Sequence, residues 1–274
     1  MKVMNLIFSD LDGTLLNKHT YSFKEAKAAI DFLKSKHFPL ILCSSKTRFE
    51  MEIYREKMGL ISYPFISENG GAIFIPRGSL NLTGFNYKFV NGYQTIELGA
   101  PYEFIKKCFK KIKKNLKLNI TGFSEMTVEE IVSLTNLPLS QAKLAPKREY
   151  SEPFVYQDDP DKLSLLEAAI SKFGLNLTKG GRFYTLMASN NKGKAVQIVI
   201  KLYQQTFPNK IIVSIGLGDS LNDVSMLLHV DKPVIVRREE GKFLRYEFKN
   251  AYLTQAVGPQ GWAEAIFRIL KGGG

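Results

Sequence analysis

Short apolar runs, each ended by polar residues and followed by a helical period, limit most strongly what this chain can fold into. The run from Val3 to Phe8 is too short for a helix and suits a buried strand. Ser22-Phe23-Lys24-Glu25 then has capping-box spacing, with Ala26, Ala29, Ile30 and Leu33 behind it at helical period. Leu40 to Cys43 is strand-like again. Thr47-Arg48-Phe49-Glu50 repeats the box, Met51, Tyr54 and Met58 share one face, and Gly59 is a stop. Pro64 to Ser67 is a third short strand. This β-α-β-α-β order predicts a parallel sheet with right-handed crossovers, a Rossmann-like α/β core.

The middle of the chain loses the alternation. Ala72 to Ile75 is a strand ending in a Pro76-Arg77-Gly78 turn. Pro101 opens an amphipathic helix with Phe104, Ile105, Cys108, Phe109, Ile112 and Leu116 on its apolar side. Thr127 to Glu130 caps another helix, and Asp159-Pro160 starts one that Gly174 closes. Leu175–Thr178 and Phe183–Met187 flank a Lys179-Gly180-Gly181-Arg182 turn, a hairpin signal. Residues 84–187 are therefore expected to form an inserted α+β domain, with 1–83 and 188–274 as the core. Alternation resumes with a helix from Lys192 to about Phe207, a strand at Ile211–Ile215, a helix at Leu221–Leu228 and a strand at Val234–Val236. A last helix spans Gly261 to Leu270.

Lys and Arg number 38 against 26 Asp and Glu, a net charge of +12, so an anionic ligand is expected. Cys43 and Cys108 make neither a disulfide framework nor a zinc site. The opening residues turn acidic too soon for a signal peptide, and no apolar run is long enough to span a membrane, so a cytoplasmic protein is expected. Lys106, Lys107, Lys110, Lys111, Lys113, Lys114 and Lys117 crowd one helix and raise a rival reading, a nucleic-acid or membrane-surface protein. The apolar opposite face of that helix argues instead for packing, with solvated lysines outside. No nucleic-acid or membrane partner is expected, and the chain is read as a monomer or homodimer.

In a parallel sheet, ligands gather beyond the carboxyl ends of the strands. Four polar stations lie there. Asp10-Leu11-Asp12-Gly13-Thr14 follows the first strand; of its two carboxylates one can bind metal and attack while the other shuttles a proton, and Gly13 permits a tight turn. Ser44-Ser45-Lys46 follows the second strand, where a hydroxyl can hold an anionic oxygen. Lys192 opens a helix and can neutralise phosphate charge. Gly218-Asp219-Ser220-Leu221-Asn222-Asp223 follows the Ile211–Ile215 strand, and its carboxylates with those of Asp10 and Asp12 form a hard-oxygen site suited to Mg²⁺. Spacing leaves open which carboxylate attacks.

These four stations resemble the motifs of the haloacid dehalogenase-like phosphohydrolases, and the insert resembles the subgroup with a large α+β cap. Ser44-Ser45-Lys46-Thr47-Arg48, Ser67-Glu68-Asn69-Gly70-Gly71, Arg148-Glu149-Tyr150-Ser151-Glu152-Pro153 and Gly180-Gly181-Arg182-Phe183-Tyr184 resemble, more narrowly, the mannosyl-3-phosphoglycerate phosphatases. Ser44-Ser45-Lys46 departs from the threonine-glycine-arginine of the broader subgroup, which favours the narrower likeness over a generic sugar phosphatase. The resemblance implies that Asp10 attacks phosphorus and Asp12 is acid and base. It implies Mg²⁺ on Asp10, the Asp12 carbonyl and Asp219, with Asp223 close by. Ser44 and Lys192 would hold phosphate oxygens and Asn222 would orient its loop. The implied substrate is a small anionic phosphorylated glycoside carrying a carboxylate. Arg182, Arg148, Lys46 and Arg48 are candidates for that carboxylate, and Glu68 and Asn69 for sugar hydroxyls. Glucosyl-3-phosphoglycerate, another sugar phosphate, or a phosphomannomutase-like reaction are the nearest alternatives.

Overall fold

The Val3–Phe8 run becomes the strand Lys2–Ser9 of a parallel sheet in the computed structural model, which describes residues 2–180 and 183–271. In chain order the strands are β1 (Lys2–Ser9), β2 (Leu40–Leu42), β3 (Phe65–Ser67), β4 (Ala72–Pro76), β5 (Lys88–Val90), β6 (Tyr93–Glu97), β7 (Ile120–Gly122), β8 (Ser151–Tyr156), β9 (Asn176–Lys179), β10 (Tyr184–Met187), β11 (Lys210–Gly218), β12 (Lys232–Arg237) and β13 (Tyr252–Val257). The helices are α1 (Lys27–Ser35), α2 (Arg48–Met58), α3 (Tyr102–Leu116), α4 (Val128–Thr135), α5 (Leu139–Ala142), α6 (Leu163–Ser171), α7 (Lys192–Thr206), α8 (Val224–Leu227) and α9 (Gly258–Lys271).

The core sheet has the order β13-β12-β11-β1-β2, every pair parallel. Side chains of β1 alternate between two apolar layers, as the period of a strand requires. Ile7 joins Ala29, Ile30, Leu33, Tyr54, Trp262 and Ile266 on the side of α1, α2 and α9. Leu6 and Phe8 join Val196, Val199, Leu202 and Met226 on the side of α7 and α8. A parallel sheet covered on both faces is the doubly wound core that the alternation predicts. Its strands also end on one edge, where Asp10, Cys43-Ser44, Asp219 and Arg238 emerge.

A parallel bridge from Cys43 to Ile66 joins that sheet to a second, antiparallel one of order β3-β4-β6-β5. Residues 88–97, assigned on sequence to the insert, thus join this core-side sheet, β6 pairing with β4 and β5 with β6. Their short, half-exposed strands carry little apolar signal of their own; the register Ala72↔Glu97 to Pro76↔Tyr93 comes from the partner strand. The chain enters the insert where Leu98 and Gly99 donate their N–H groups to Gly71 O (2.9 and 2.8 Å). The insert is a sheet of order β7-β8-β10-β9. α3 and α6 pack on it through Ile105, Phe109, Ile112, Leu166 and Ile170, while Lys107, Lys110, Lys111, Lys114 and Lys117 of the α3 stretch are exposed.

The boxes at Thr47 and Thr127 form. The one expected at Ser22 does not: Ser22 Oγ accepts only from Lys24 N (3.1 Å), and a 3₁₀ turn over Lys24–Ala26 leads into α1. Both cysteines are free and buried. Among the described residues no helix is long and apolar enough to cross a membrane.

Candidate active site

Asp10 leaves β1 with its N–H donating to Leu217 O (2.9 Å), so sheet pairing carries on into the site. The next turn brings Gly13 to φ +82°, where a Cβ would stand 3.2 Å from Asp219 Oδ2. Glycine here both takes the left-handed backbone and lets two distant stations approach. Thr14 Oγ1 donates to Asp219 Oδ1 (3.2 Å). Asp223 closes its own loop by accepting from Asp219 N (3.1 Å), Ser220 N (3.0 Å) and Ser220 Oγ (3.1 Å) on Oδ2. Asn191 caps α7 by accepting from Lys194 N, and Lys192, fully buried, donates from Nζ to Asp10 Oδ1 and Asp223 Oδ1, both 2.6 Å.

Three buried carboxylates, Asp10, Asp219 and Asp223, therefore offer oxygens within 4.8 Å of one another. Burial, then the charge of Asp223, holds the Asp10 carboxyl well above the usual carboxylate range, although Lys192 opposes this. Burial and Asp223 push Asp219 up to about 6 against the pull of Arg238 and Thr14. Burial works against the Lys192 charge, but Asp10 and Asp223 outweigh it and its pKa rises. Two cations, Lys192 and Arg238, face three carboxylates, which leaves an excess of negative charge among hard oxygen donors. That donor set fits a divalent cation.

Asp12 points its other way along the edge. Its Oδ2 lies 3.0 Å from Lys46 Nζ, which sits 3.6 Å from Glu50 Oε1 and under the rings of Tyr21 and Tyr54. Burial opposes the Lys46 charge, yet Asp12 and Glu50 raise its pKa overall. The pair anchors the side chain of Asp12 at the mouth of the site.

A cleft of about 420 Å³ separates this edge from the insert. Asp10, Asp12, Lys46, Asn69, Asp219 and Asn222 line it from the core, and Phe123, Arg148, Pro153, Phe183 and Thr185 from the insert. Asn222 Nδ2 donates to Asn69 Oδ1 (3.0 Å), joining two stations. Ser44 stays just inside, with Oγ accepting from Lys46 N at 3.3 Å.

Two residues expected at the substrate are elsewhere. Glu68 is fully buried and accepts from Glu149 N (2.8 Å), Tyr150 N (3.1 Å) and Ser151 Oγ (2.6 Å), with Arg148 Nε at 3.3 Å. No oxygen of it is left for a sugar; it fastens the insert to the core. Arg48 holds Glu149 (Nη2 to Oε1, 3.2 Å) and Glu52 (3.1 Å) and does not line the cleft. Arg182 lies outside the described residues. Arg148 does reach the cleft, but Nη2 donates to Ser45 O (2.9 Å) and Ser151 Oγ (2.7 Å).

Arg238 is the residue that sequence reasoning missed: its Nε donates to Asp219 O (2.8 Å) and Oδ2 (3.2 Å). The rule that flags Asp10, polar residues directly after a buried strand, applies equally to Arg237-Arg238 after Val234–Val236.

Residues 7–241 match the haloacid dehalogenase-like hydrolase family. The chain is 41% identical over 270 residues to a glucosyl-3-phosphoglycerate/mannosyl-3-phosphoglycerate phosphatase of Methanococcoides burtonii, covering 97% of each chain. It is 43% identical over 269 residues to the protein of the same name from Persephonella marina, again covering 97% of each. Among solved structures, a haloacid dehalogenase-like hydrolase from Bacteroides thetaiotaomicron has the same fold at 17% identity, with a TM-score of 0.65 over 97% of this chain and 100% of the other. The chain, with its carboxylates gathered on the edge of a parallel sheet beneath an inserted domain, belongs to the haloacid dehalogenase-like hydrolases.

Proposed function

We propose that this chain is a Mg²⁺-dependent phosphatase that releases phosphate from mannosyl-3-phosphoglycerate, and from the glucosyl compound, through an aspartyl phosphate on Asp10. The observation that carries the reading is the buried Asp10, Asp219 and Asp223 group over Lys192 at the floor of a cleft roofed by the insert. The names of the two relatives supply the two sugars.

Phosphate monoesters resist hydrolysis, so a site must neutralise charge and align a nucleophile. Asp10 attacks phosphorus; its Oδ–P bond forms as the P–O bond to the glycerate breaks. Asp12 gives its proton to that leaving oxygen. It then takes one from the water whose oxygen attacks phosphorus and frees Asp10. Lys192 and Ser44 bind non-bridging oxygens, and Asn222, tied to Asn69 and Ser220, keeps the 219–223 loop in place. Asp10, the Asp12 carbonyl and Asp219 would hold Mg²⁺ with Asp223 beside it, and the ion would screen the attacking carboxylate from the phosphate. The two unpaired, buried thiols suit a cytoplasmic setting.

The test is phosphate release from mannosyl- and glucosyl-3-phosphoglycerate and from hexose phosphates, with Mg²⁺ and with EDTA. Fast release from the glycosyl phosphoglycerates, lost in EDTA, is expected. No release, release indifferent to EDTA, or turnover only with a sugar bisphosphate activator would remove the reading.

A further inference from the structure

We infer that Arg238 recognises the carboxylate that lies beside the phosphate in the substrate. The inference rests on the proposed function for its substrate class. In a 3-phosphoglycerate unit the carboxylate is carbon 1 and the phosphate is on carbon 3, with only the glycosylated carbon 2 between them. With phosphorus over Asp10, the carboxylate lies within a side chain's reach and loses water in the cleft. Such an anion calls for a cation with donors to match, and a guanidinium supplies two in a plane.

Four cations of the described residues line the cleft: Lys18, Lys46, Arg148 and Arg238. Lys46 is held between Asp12 and Glu50 and is 5% exposed. Arg148 is bound to fully buried Glu68 and to Ser45 and Ser151. Lys18 is an exposed rim residue, 3.7 Å from Glu240. Arg238 differs. Its backbone is fixed by Arg238 N donating to Lys242 O (3.0 Å) and Gly241 N donating to Arg238 O (2.9 Å). Its Nε edge is fixed on Asp219, while Nη1 and Nη2 make no hydrogen bond to any described residue. The acids that follow are turned to other partners, Glu239 to His19 (2.6 Å) and Glu240 to Lys18 (3.7 Å). A guanidinium anchored on one edge next to the reacting carboxylates, with the other edge open, is preorganised for a carboxylate.

The experiment compares Arg238→Ala and Arg238→Lys with the parent chain. It uses ester pairs that differ in the carboxylate: mannosyl-3-phosphoglycerate against its carboxamide, and 3-phosphoglycerate against glycerol 3-phosphate. The readout is the ratio of kcat/KM within each pair, which cancels any general effect of Arg238 on Asp219. Arg238→Ala should cut the preference for the carboxylate member about tenfold or more, mainly through KM, and Arg238→Lys should restore part of it. An unchanged ratio in Arg238→Ala, whatever the activity, overturns the inference. If a variant turns over too slowly, affinities of 3-phosphoglycerate and glycerol 3-phosphate for Asp10→Asn and for Asp10→Asn with Arg238→Ala give the same ratio. Absence of activity on the glycosyl ester in the parent chain would count against the proposed function alone, because the simpler pair still reads the carboxylate contact.

Discussion

Asp219 shows what burial does to a single side chain. Its carboxyl is pushed up to about 6 by burial and by Asp223, above the value near 4 of an unfolded chain. A carboxyl with a raised folded pKa binds its proton more tightly in the fold. Its contribution to stability is therefore present below about pH 4 and is lost as pH rises through about 6. A divalent cation takes the ionised form and so competes with the proton. Thermal unfolding with and without Mg²⁺ should show little gain in Tm near about pH 5 and the largest gain above about pH 6.5. A gain independent of pH would mean that the ion binds away from these carboxylates. Asp12 has a different task, and leaving groups expose it. In Asp12→Asn, phosphorylation of Asp10 should slow about 10²–10⁴-fold with an alkyl ester but far less with p-nitrophenyl phosphate, whose leaving group needs no proton. Equal losses of that first step on both, in rapid-quench assays of phosphoenzyme formation, would remove the acid role; hydrolysis of the phosphoenzyme, where Asp12 is the base, slows alike with either ester.

Single elements reach the site through the turn between β3 and β4. Gly70 has φ +89°, and a Cβ there would lie 2.2 Å from Asn191 O, the cap of α7. Gly70→Ala combines left-handed strain of about 1–2 kcal/mol with displacement of the helix start that carries Lys192. Lower stability in urea together with a fall in kcat is expected; a stability loss with unchanged kcat would separate this turn from the position of Lys192. The same region shows why some of the molecule was legible in the sequence and some was not. Asp10, Asp12, Asp219 and Asp223 could be read because their meaning is local: polar residues at the end of buried strands. Glu68, and Arg48 apart from its local pair with Glu52, find their partners in the Arg148–Ser151 segment, about 80 and 100 residues away, and no local pattern announces these. The strands β5, β6 and β13 are short or edge elements whose pairing is imposed by β6, β4 and β12 respectively, so their own residues carry a weak period. The Thr47 box formed because α2 begins where it stands, whereas the loop before α1 keeps Ser22 in a tighter turn.

Across the whole molecule, the insert rests on the core and both line the cleft. The contacts that hold it include the buried Glu68–Arg148 pair, the Arg48–Glu149 pair, and hydrogen bonds from core tyrosines. Tyr54 OH donates to Gln141 Oε1 (2.9 Å) and Tyr21 OH to Thr135 O (2.6 Å). Tyr21 also packs on the apolar cluster of Phe123, Ile131 and Leu137 in the insert. The tyrosine hydroxyls can be removed while their rings stay, so Tyr54→Phe with Tyr21→Phe weakens docking and little else. Each hydroxyl is worth about 1 kcal/mol, and losing both lowers the docked-to-open ratio about thirtyfold. Because core and insert both line the cleft, a substrate that touches both is expected to supply the missing docking energy. KM should rise several-fold in the double variant, with a smaller change in kcat. X-ray scattering should show a larger radius of gyration without substrate that returns to the parent value when substrate analogue is added. Unchanged KM and unchanged scattering would mean that the remaining contacts hold the insert without the two hydroxyls.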